Sequence, residues 1–257
     1  MSDDSEIIAE LTVAQSVLQQ YVDTLTPIVD EAKLHISAEG VTARVVDPAN
    51  VASILPADLH AEACEYVDAP GQATVGVNLG RLDDLIGAAN SGDLIRLRLD
   101  MATRKLLIDY REIHHEMALI DPDSIRGEPD DPGLELPNSV VVEGGDLAEA
   151  VDVVELSSDH LRITAPEDGD SVELLGEGDI DVSRYVFDAD TLITNGLREA
   201  TESLFSLEYV SELVKPIPSD AEVAITFGEE FPMELEWSAC EGGIEVKQLL
   251  APRIQSK

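Results

Sequence analysis

Leu79-Gly-Arg-Leu-Asp-Asp-Leu-Ile86 and Leu207-Glu-Tyr-Val-Ser-Glu-Leu-Val214 carry one pattern twice. Leu79, Leu82, Leu85 and Ile86 fall on Leu207, Val210, Leu213 and Val214 at one offset, 207 − 79 = 128, in a chain of 257 residues. Spacing of this kind sets four apolar side chains on one face of a short helix. Downstream, Ser91 meets Ser219 in a turn, and Ile95, Leu97 and Leu99 meet Val223, Ile225 and Phe227 in an alternating strand. Upstream, Leu18, Val22 and Leu25 meet Leu147, Val151 and Val154 at an offset of 129, and Lys33-Leu-His-Ile-Ser-Ala38 meets His160-Leu-Arg-Ile-Thr-Ala165 at 127. Few polar identities accompany the apolar ones. The chain therefore reads as two tandem copies of one α+β fold, a symmetric framework more than a catalytic pocket.

Sixteen Lys and Arg stand against 53 Asp and Glu, a formal net charge of −37, and only 4% of residues are aromatic. An acidic chain poor in aromatics is a candidate for disorder. Here the acids alternate with Val, Ile and Leu at strand and helix periods, which describes a folded protein with an acidic skin. Such a charge repels itself at low ionic strength, whereas near molar salt the Debye length shrinks to about 3 Å. The composition predicts the cytoplasmic protein of a halophile; an acidic surface made to grip basic partners is the competing reading, disfavoured by the even spread of the acids. Cys64 and Cys240 lie at unrelated positions of the two copies, so a reducing compartment fits and a disulfide framework does not. No apolar run approaches about 18 residues, and Met1-Ser-Asp-Asp-Ser-Glu6 lacks a basic leader, so neither a membrane span nor secretion is expected.

Along the chain, residues 1–6 read as an acidic tail. Ile7, Ala9, Leu11 and Val13 alternate as a strand whose counterpart is Ser139-Val-Val-Val-Glu143. Ser16 offers an N-cap to a helix bearing Leu18, Val22 and Leu25 and ended by Pro27. Strands are expected at residues 33–38 and 40–46, joined by a turn at Ala38-Glu39-Gly40, then at 51–55 and 59–66. A helix over 79–89 and strands at 94–99, 105–110 and 112–119 close a first domain, residues 1–120. Residues 121–137 hold four prolines, two glycines and a run of acids, an extended connector. Residues 138–257 form the second domain in the same element order, with helices from about Asp146 and Ser206.

Catalytic constellations are missing. The chain has no Gly-x-x-x-x-Gly-Lys loop, no Gly-x-Ser-x-Gly elbow and no Cys-x-x-Cys pair. His114 and His115 are strand neighbours aimed at opposite faces and cannot chelate together. Glu167-Asp-Gly-Asp170 starts like a calcium loop but lacks its closing Glu, so it reads as a hairpin turn. No enzyme, metal or cofactor is expected; a nucleotide- or sugar-processing enzyme is the outside alternative.

The two copies, the connector after Leu119-Ile120-Asp121, Asp47-Pro-Ala-Asn50, Leu204-Phe-Ser-Leu207 and the ending Leu250-Ala-Pro-Arg-Ile254 together resemble the PCNA-type DNA sliding clamps in their halophilic archaeal form. The resemblance runs from about Ile7 to Lys257. It implies a closed homotrimeric ring with helices lining the hole and sheets outside. Double-stranded DNA threads the hole, while DNA polymerase, the clamp loader and other replication or repair proteins dock outside through short tail motifs. A hetero-oligomer subunit or monomeric paralogue is the alternative within the family.

By position, the resemblance implies a docking groove of Val46, Asn50, Ile125, Leu134, Leu136, Pro232, Leu249, Ala251 and Pro252; ordinary core packing is the bland reading of each. Gln248-Leu249 stands where relatives often carry aromatics. The DNA-facing set would be Arg81, Lys215, Gln19 and Gln20. Family helices usually present Lys and Arg to the duplex, whereas these also offer Asp23, Glu149, Asp152 and Glu155. Arg81 could instead pair with Asp84, and Lys215 could complement its helix dipole. The subunit contact would join the strand of Glu112, His114, His115 and Glu116 to Ser171–Leu175 of a neighbour, including Val172 and Leu174.

Overall fold

The computed structural model describes residues 6–167 and 169–253. The chain divides into two units. The first comprises the chain up to Val46, Ile54–Pro129 and Cys240–Glu245; the second comprises Asp47–Ser53, Asp130–Ala239 and the chain from Val246 onward.

In chain order the elements begin β1 (Ile7–Ala14), α1 (Gln15–Leu25), β2 (Glu31–Ser37), β3 (Gly40–Val46), β4 (Ala52–His60), β5 (Cys64–Asp68) and β6 (Ala73–Asn78). Then come α2 (Leu79–Ile86), β7 (Leu94–Asp100), β8 (Lys105–Tyr110) and β9 (Ile113–Ala118). After the connector follow β10 (Asn138–Glu143), α3 (Gly144–Glu155), β11 (His160–Ala165), β12 (Val172–Glu177), β13 (Val182–Phe187), β14 (Thr194–Gly196) and β15 (Thr201–Ser206). The last are α4 (Leu207–Val214), β16 (Glu222–Phe227), β17 (Met233–Ala239) and β18 (Ile244–Leu250).

In the first unit β5-β1-β7-β8-β9 form an antiparallel sheet in that order, and β4-β3-β2-β6 run side by side. Ala9, Leu11 and Val13 of β1 are buried on one face. Leu11 and Val13 meet Leu18, Tyr21, Val22 and Leu25 of α1 and Leu79 and Leu82 of α2 in an apolar interior shared with Leu34, Ile36 and Val41 of β2 and β3. Each such side chain contributes about 1.5–3 kcal/mol on burial, so the helix stripe read from the repeat is what fastens the helices to the strands. The second unit repeats the plan. There β13-β12-β11-β15 form a four-stranded antiparallel sheet, β14-β10-β16-β17-β18 run together, and Leu147, Val151 and Val154 of α3 are buried as are Leu207, Val210 and Leu213 of α4.

Several sequence expectations need correction. Ser16 is not the cap of α1: the helix starts at Gln15, Ala14 is the N-cap, and the Gln15 N–H donates to the Asp93 carbonyl at 2.8 Å, so the backbone supplies the partner. α2 stops at Ile86, with Gly87 as its C-cap, short of Ala89. β4 runs unbroken through Pro56 because Ile54, Leu55, Ala57 and Leu59 on both sides of it are buried; a short 3-10 turn at Ala61–Ala63 then leads into β5. α3 begins at Gly144, ahead of Asp146, and a Cβ there would collide with the Pro218 carbonyl.

The strand expected to meet a neighbouring subunit is also misplaced. β12 is interior, paired with β11 on one side and β13 on the other, and Val172 and Leu174 are buried in the core. The open edge is β13. The tail at residues 1–5, Asp168 of the 167–170 turn and Ile254 of the terminal motif lie outside the described residues. In the connector, Pro122–Ser124 form one 3-10 turn, and residues 126–136 hold no helix or strand.

Candidate functional site

The polar faces of the helices carry the acids read from the sequence, and on α1 and α2 hydrogen bonds tie those side chains down. Gln19 is half-buried: its amide donates to Asp23 at 2.8 Å and to Asp83 of α2, so it works as a strut between α1 and α2. The Gln15 amide adds bonds to Gln19 at 3.2 Å and to the Ile86 carbonyl. Gln20 is half-buried, and its carbonyl accepts from Thr24. Arg81 is exposed, as is Asp84, and the Arg81 N–H donates to the capping Asn78 side chain at 2.7 Å. Lys215 is exposed at the C-cap of α4. On α3, Glu149, Asp152 and Glu155 are all exposed.

Of the expected groove residues, Val46 and Ile125 belong to the first unit, and Asn50, Leu134, Leu136, Pro232, Leu249, Ala251 and Pro252 to the second. Asn50 is exposed with a φ of 59°, and the other eight are half-buried. None is a sealed core position, so the apolar ones among them are only partly covered. Phe231, 53% exposed beside Pro232, adds an aromatic that sequence reasoning passed over. The Gly-Glu-Glu-Phe-Pro order of residues 228–232, a turn signal with an aromatic at its end, could have flagged it.

Asp47, the first residue of the Asp47-Pro-Ala-Asn50 motif, organises the segment after β3. Its buried carboxylate accepts from the N–H groups of Ala49 (2.8 Å), Val51 (2.6 Å) and Ala52 (2.8 Å) and from the Tyr209 hydroxyl (2.9 Å). Burial would raise its pKa, but the bonds from Ala52, Ala49, Val51 and Tyr209 outweigh that and hold it below the usual carboxylate value. Lys247 likewise ties the connector to the strands of its unit, 3.1 Å from Asp131 and 3.3 Å from Glu234. Burial would lower its pKa; the carboxylates of Asp131 and Glu234 carry it above the ordinary lysine value.

At the β9 edge His114 Nδ1 lies 2.6 Å from Asp109, whereas His115 Nε2 lies 3.3 Å from the Tyr110 hydroxyl. The two rings serve opposite faces, as strand alternation requires. Glu116 pairs with Lys105, and Glu112 is exposed in the turn before β9. Among the described residues no cluster of three or more His, Cys, Asp or Glu is arranged to hold a metal, and no helix is long and apolar enough to cross a membrane.

This geometry has close counterparts. Residues 8–121 match the family model of the proliferating cell nuclear antigen N-terminal domain. The chain is 43% identical over 244 residues to the DNA polymerase sliding clamp of Natronomonas pharaonis, covering 95% of this chain and 98% of that one. It is 41% identical, with the same coverage, to that of Halobacterium salinarum. Its fold superposes with a TM-score of 0.90 on the structure titled "C-terminal region of FEN-1 bound to A. fulgidus PCNA", at 28% identity over 97% of this chain and 100% of that one. PCNA from Thermococcus kodakaraensis shares the fold at a TM-score of 0.86 and 23% identity, covering 95% and 100%. With this identity sustained along nearly its whole length, the chain belongs to the PCNA family of DNA polymerase sliding clamps.

Proposed function

We propose that this sliding clamp closes with two further copies into a ring around duplex DNA and holds polymerase there by topology, without catalysis of its own. The observation that carries this reading is a pair of uncovered strand edges. β9 ends the sheet of the first unit and β13 ends the four-stranded sheet of the second. At the other end of that second sheet, the Leu204 carbonyl of β15 already accepts from the Arg253 N–H. β13 exposes Val182 (63%) and Val186 (40%), which a joining chain would cover. An open edge is a template for another chain, and joining two different edges head to tail generates a ring when the rotation closes. β13 thus takes the role first assigned to Val172 and Leu174, with Glu112, His114, His115 and Glu116 opposite.

DNA in such a ring needs no base-reading or catalytic groups. The acidic helix faces would not grip phosphates by counterion release; Arg81, Lys215, Gln19 and Gln20 are the polar groups on offer, with salt cations and water between wall and duplex. Partner tails would engage the apolar surface left at Val46 and Ile125 in the first unit, and in the second the surface left at Leu134, Leu136, Pro232, Leu249, Ala251 and Pro252 together with the exposed Asn50. The acidic surface and high net charge support work in a high-salt cytosol.

Primer extension by a cognate polymerase with clamp loader in molar KCl tests the reading. Longer products are expected when this protein is added, and unchanged length would reject it. Light scattering in the same salt should give three chain masses of 27.7 kDa. A single-chain mass at micromolar concentration would contradict the ring.

A further inference from the structure

Positive charge is scarce in this chain, and many of its cations sit against acids: Arg96 with Glu10, Arg98 with Asp109, Arg104 with Asp121, and Arg111 with Asp93. Lys33 and Arg44 break the habit. The β2–β3 ladder pairs Ser37 with Gly40, Ile36 with Val41 and His35 with Thr42. Two residues beyond that last couple, and on its face of the strands, stand Lys33 and Arg44. Both are half-buried, and both line one concavity with Val29, Val46 and Ile125. Arg126 of the connector brings a third cationic side chain to it.

Among the described residues neither Lys33 nor Arg44 has an ion-pair partner. Two acids bonded to the neighbouring couple are engaged there: Glu128 lies 2.7 Å from His35, and Asp58 accepts from Thr42 at 2.6 Å. Glu31 lines the concavity too and pairs with neither cation. Like charges facing each other across adjacent strands are destabilising, and half-buried cations without an anion lose hydration for no return. In a protein with 53 carboxylates, two such cations held together mark a place kept for an anion from outside.

The geometry points to an anion subsite at Lys33 and Arg44 that receives an acidic side chain of a partner peptide seated on Val46 and Ile125, an inference resting on the docking reading above. Nucleic acid fits less well. Leu34, Ile36 and Val41 face α1 and α2, so Lys33 and Arg44 lie on the opposite face of their strands, away from the helices. The floor is also apolar, which suits a peptide plug flanked by a carboxylate better than a phosphate backbone.

Calorimetry in molar KCl tests it with two synthetic peptides, one apolar-turn sequence flanked by Asp-Asp and the same sequence flanked by Asn-Asn. Wild type should bind the acidic peptide about 2- to 3-fold more tightly, the return left to two partly exposed charge contacts after screening by molar salt, and Lys33→Ser/Arg44→Ser should bring that ratio to about one. Equal affinities in wild type, or a ratio that survives the double substitution, would overturn the subsite. Should neither peptide bind, docking on Val46 and Ile125 fails separately. Tricarballylate at matched ionic strength then decides the subsite alone: it should raise the Tm of wild type more than that of the double variant, and an equal shift refutes it. A variant that loses retention on circular DNA while keeping the peptide ratio would assign the cations to nucleic acid and also overturn the proposal.

Discussion

The sheet β5-β1-β7-β8-β9 and the hairpin β2–β3 treat positive charge in opposite ways. Across β1, β7 and β8 the guanidiniums are stitched to acids: Arg96 grips Glu10 with two bonds of 2.7 and 2.8 Å, and Arg98 reaches Asp109 at 2.7 Å, which His114 of β9 also meets. The Arg96 hydrogen bond lowers the Glu10 pKa, and at Asp109 the partners His114 and Arg98 overcome a burial effect that would raise it. On β2 and β3 Lys33 and Arg44 face one concavity, and neither is ion-paired among the described residues, although Glu31 shares the lining. Ladder cations hold an acidic protein's strands together, whereas cations left over after that matching are available for a ligand. Position relative to neighbouring strands, more than residue type, separates the two roles.

The largest effect is expected from damage to the hairpin that brings Lys33 and Arg44 together. Gly40 closes its turn with a φ of 125°, and a Cβ there would run into the Leu59 carbonyl. Gly40→Ala should cost about 3 kcal/mol or more from strain and clash and abolish the acidic-peptide preference; denaturant unfolding with unchanged midpoint would refute it.

Next in size is Asp47, just past β3. Asp47→Ala strands three N–H groups and the Tyr209 hydroxyl, so a loss of about 2–3 kcal/mol is expected. Its folded pKa is depressed, so its stabilisation is present above the unfolded value of about 3.9 and disappears as pH falls through the folded value. The gap between wild type and Asp47→Ala should therefore be full at pH 7 and shrink below about pH 4. A gap that widens on acidification would contradict the assignment.

How much of this was legible in the sequence follows from what each feature depends on. The helices α2 and α4 were readable because their apolar stripe is local and repeated, and β3 and β8 have the predicted limits, residues 40–46 and 105–110. Alternation cannot say whether a strand is interior or at an edge, which is why β12 was mistaken for the open edge that belongs to β13. Pro56 reads as a strand breaker, yet buried neighbours carry the strand past it. The apolar groove residues could be named from the resemblance, but the facing of Lys33 and Arg44 is a matter of register, invisible across eleven positions of sequence.

The smallest expected effects sharpen the contrast most finely. Arg98→Ala should lower stability by about 0.5–1 kcal/mol at low salt, the worth of a partly exposed pair, and by less in molar KCl. Lys33→Ala should be neutral or stabilising by a few tenths of a kcal/mol, because it relieves repulsion. Thermal unfolding of both variants checks the pair; equal losses would erase the distinction between ladder and subsite cations.

In the ring proposed above, this clamp stays on DNA by encircling it, and its acidic helix faces do not hold the duplex electrostatically. Retention on nicked circular DNA, followed before and after a single linearising cut across a range of KCl, tests this most directly. The account predicts long retention on the circle with little dependence on salt and rapid loss from the free ends after the cut. Equal release from circular and linear DNA, or retention that collapses steeply as KCl rises, would contradict it.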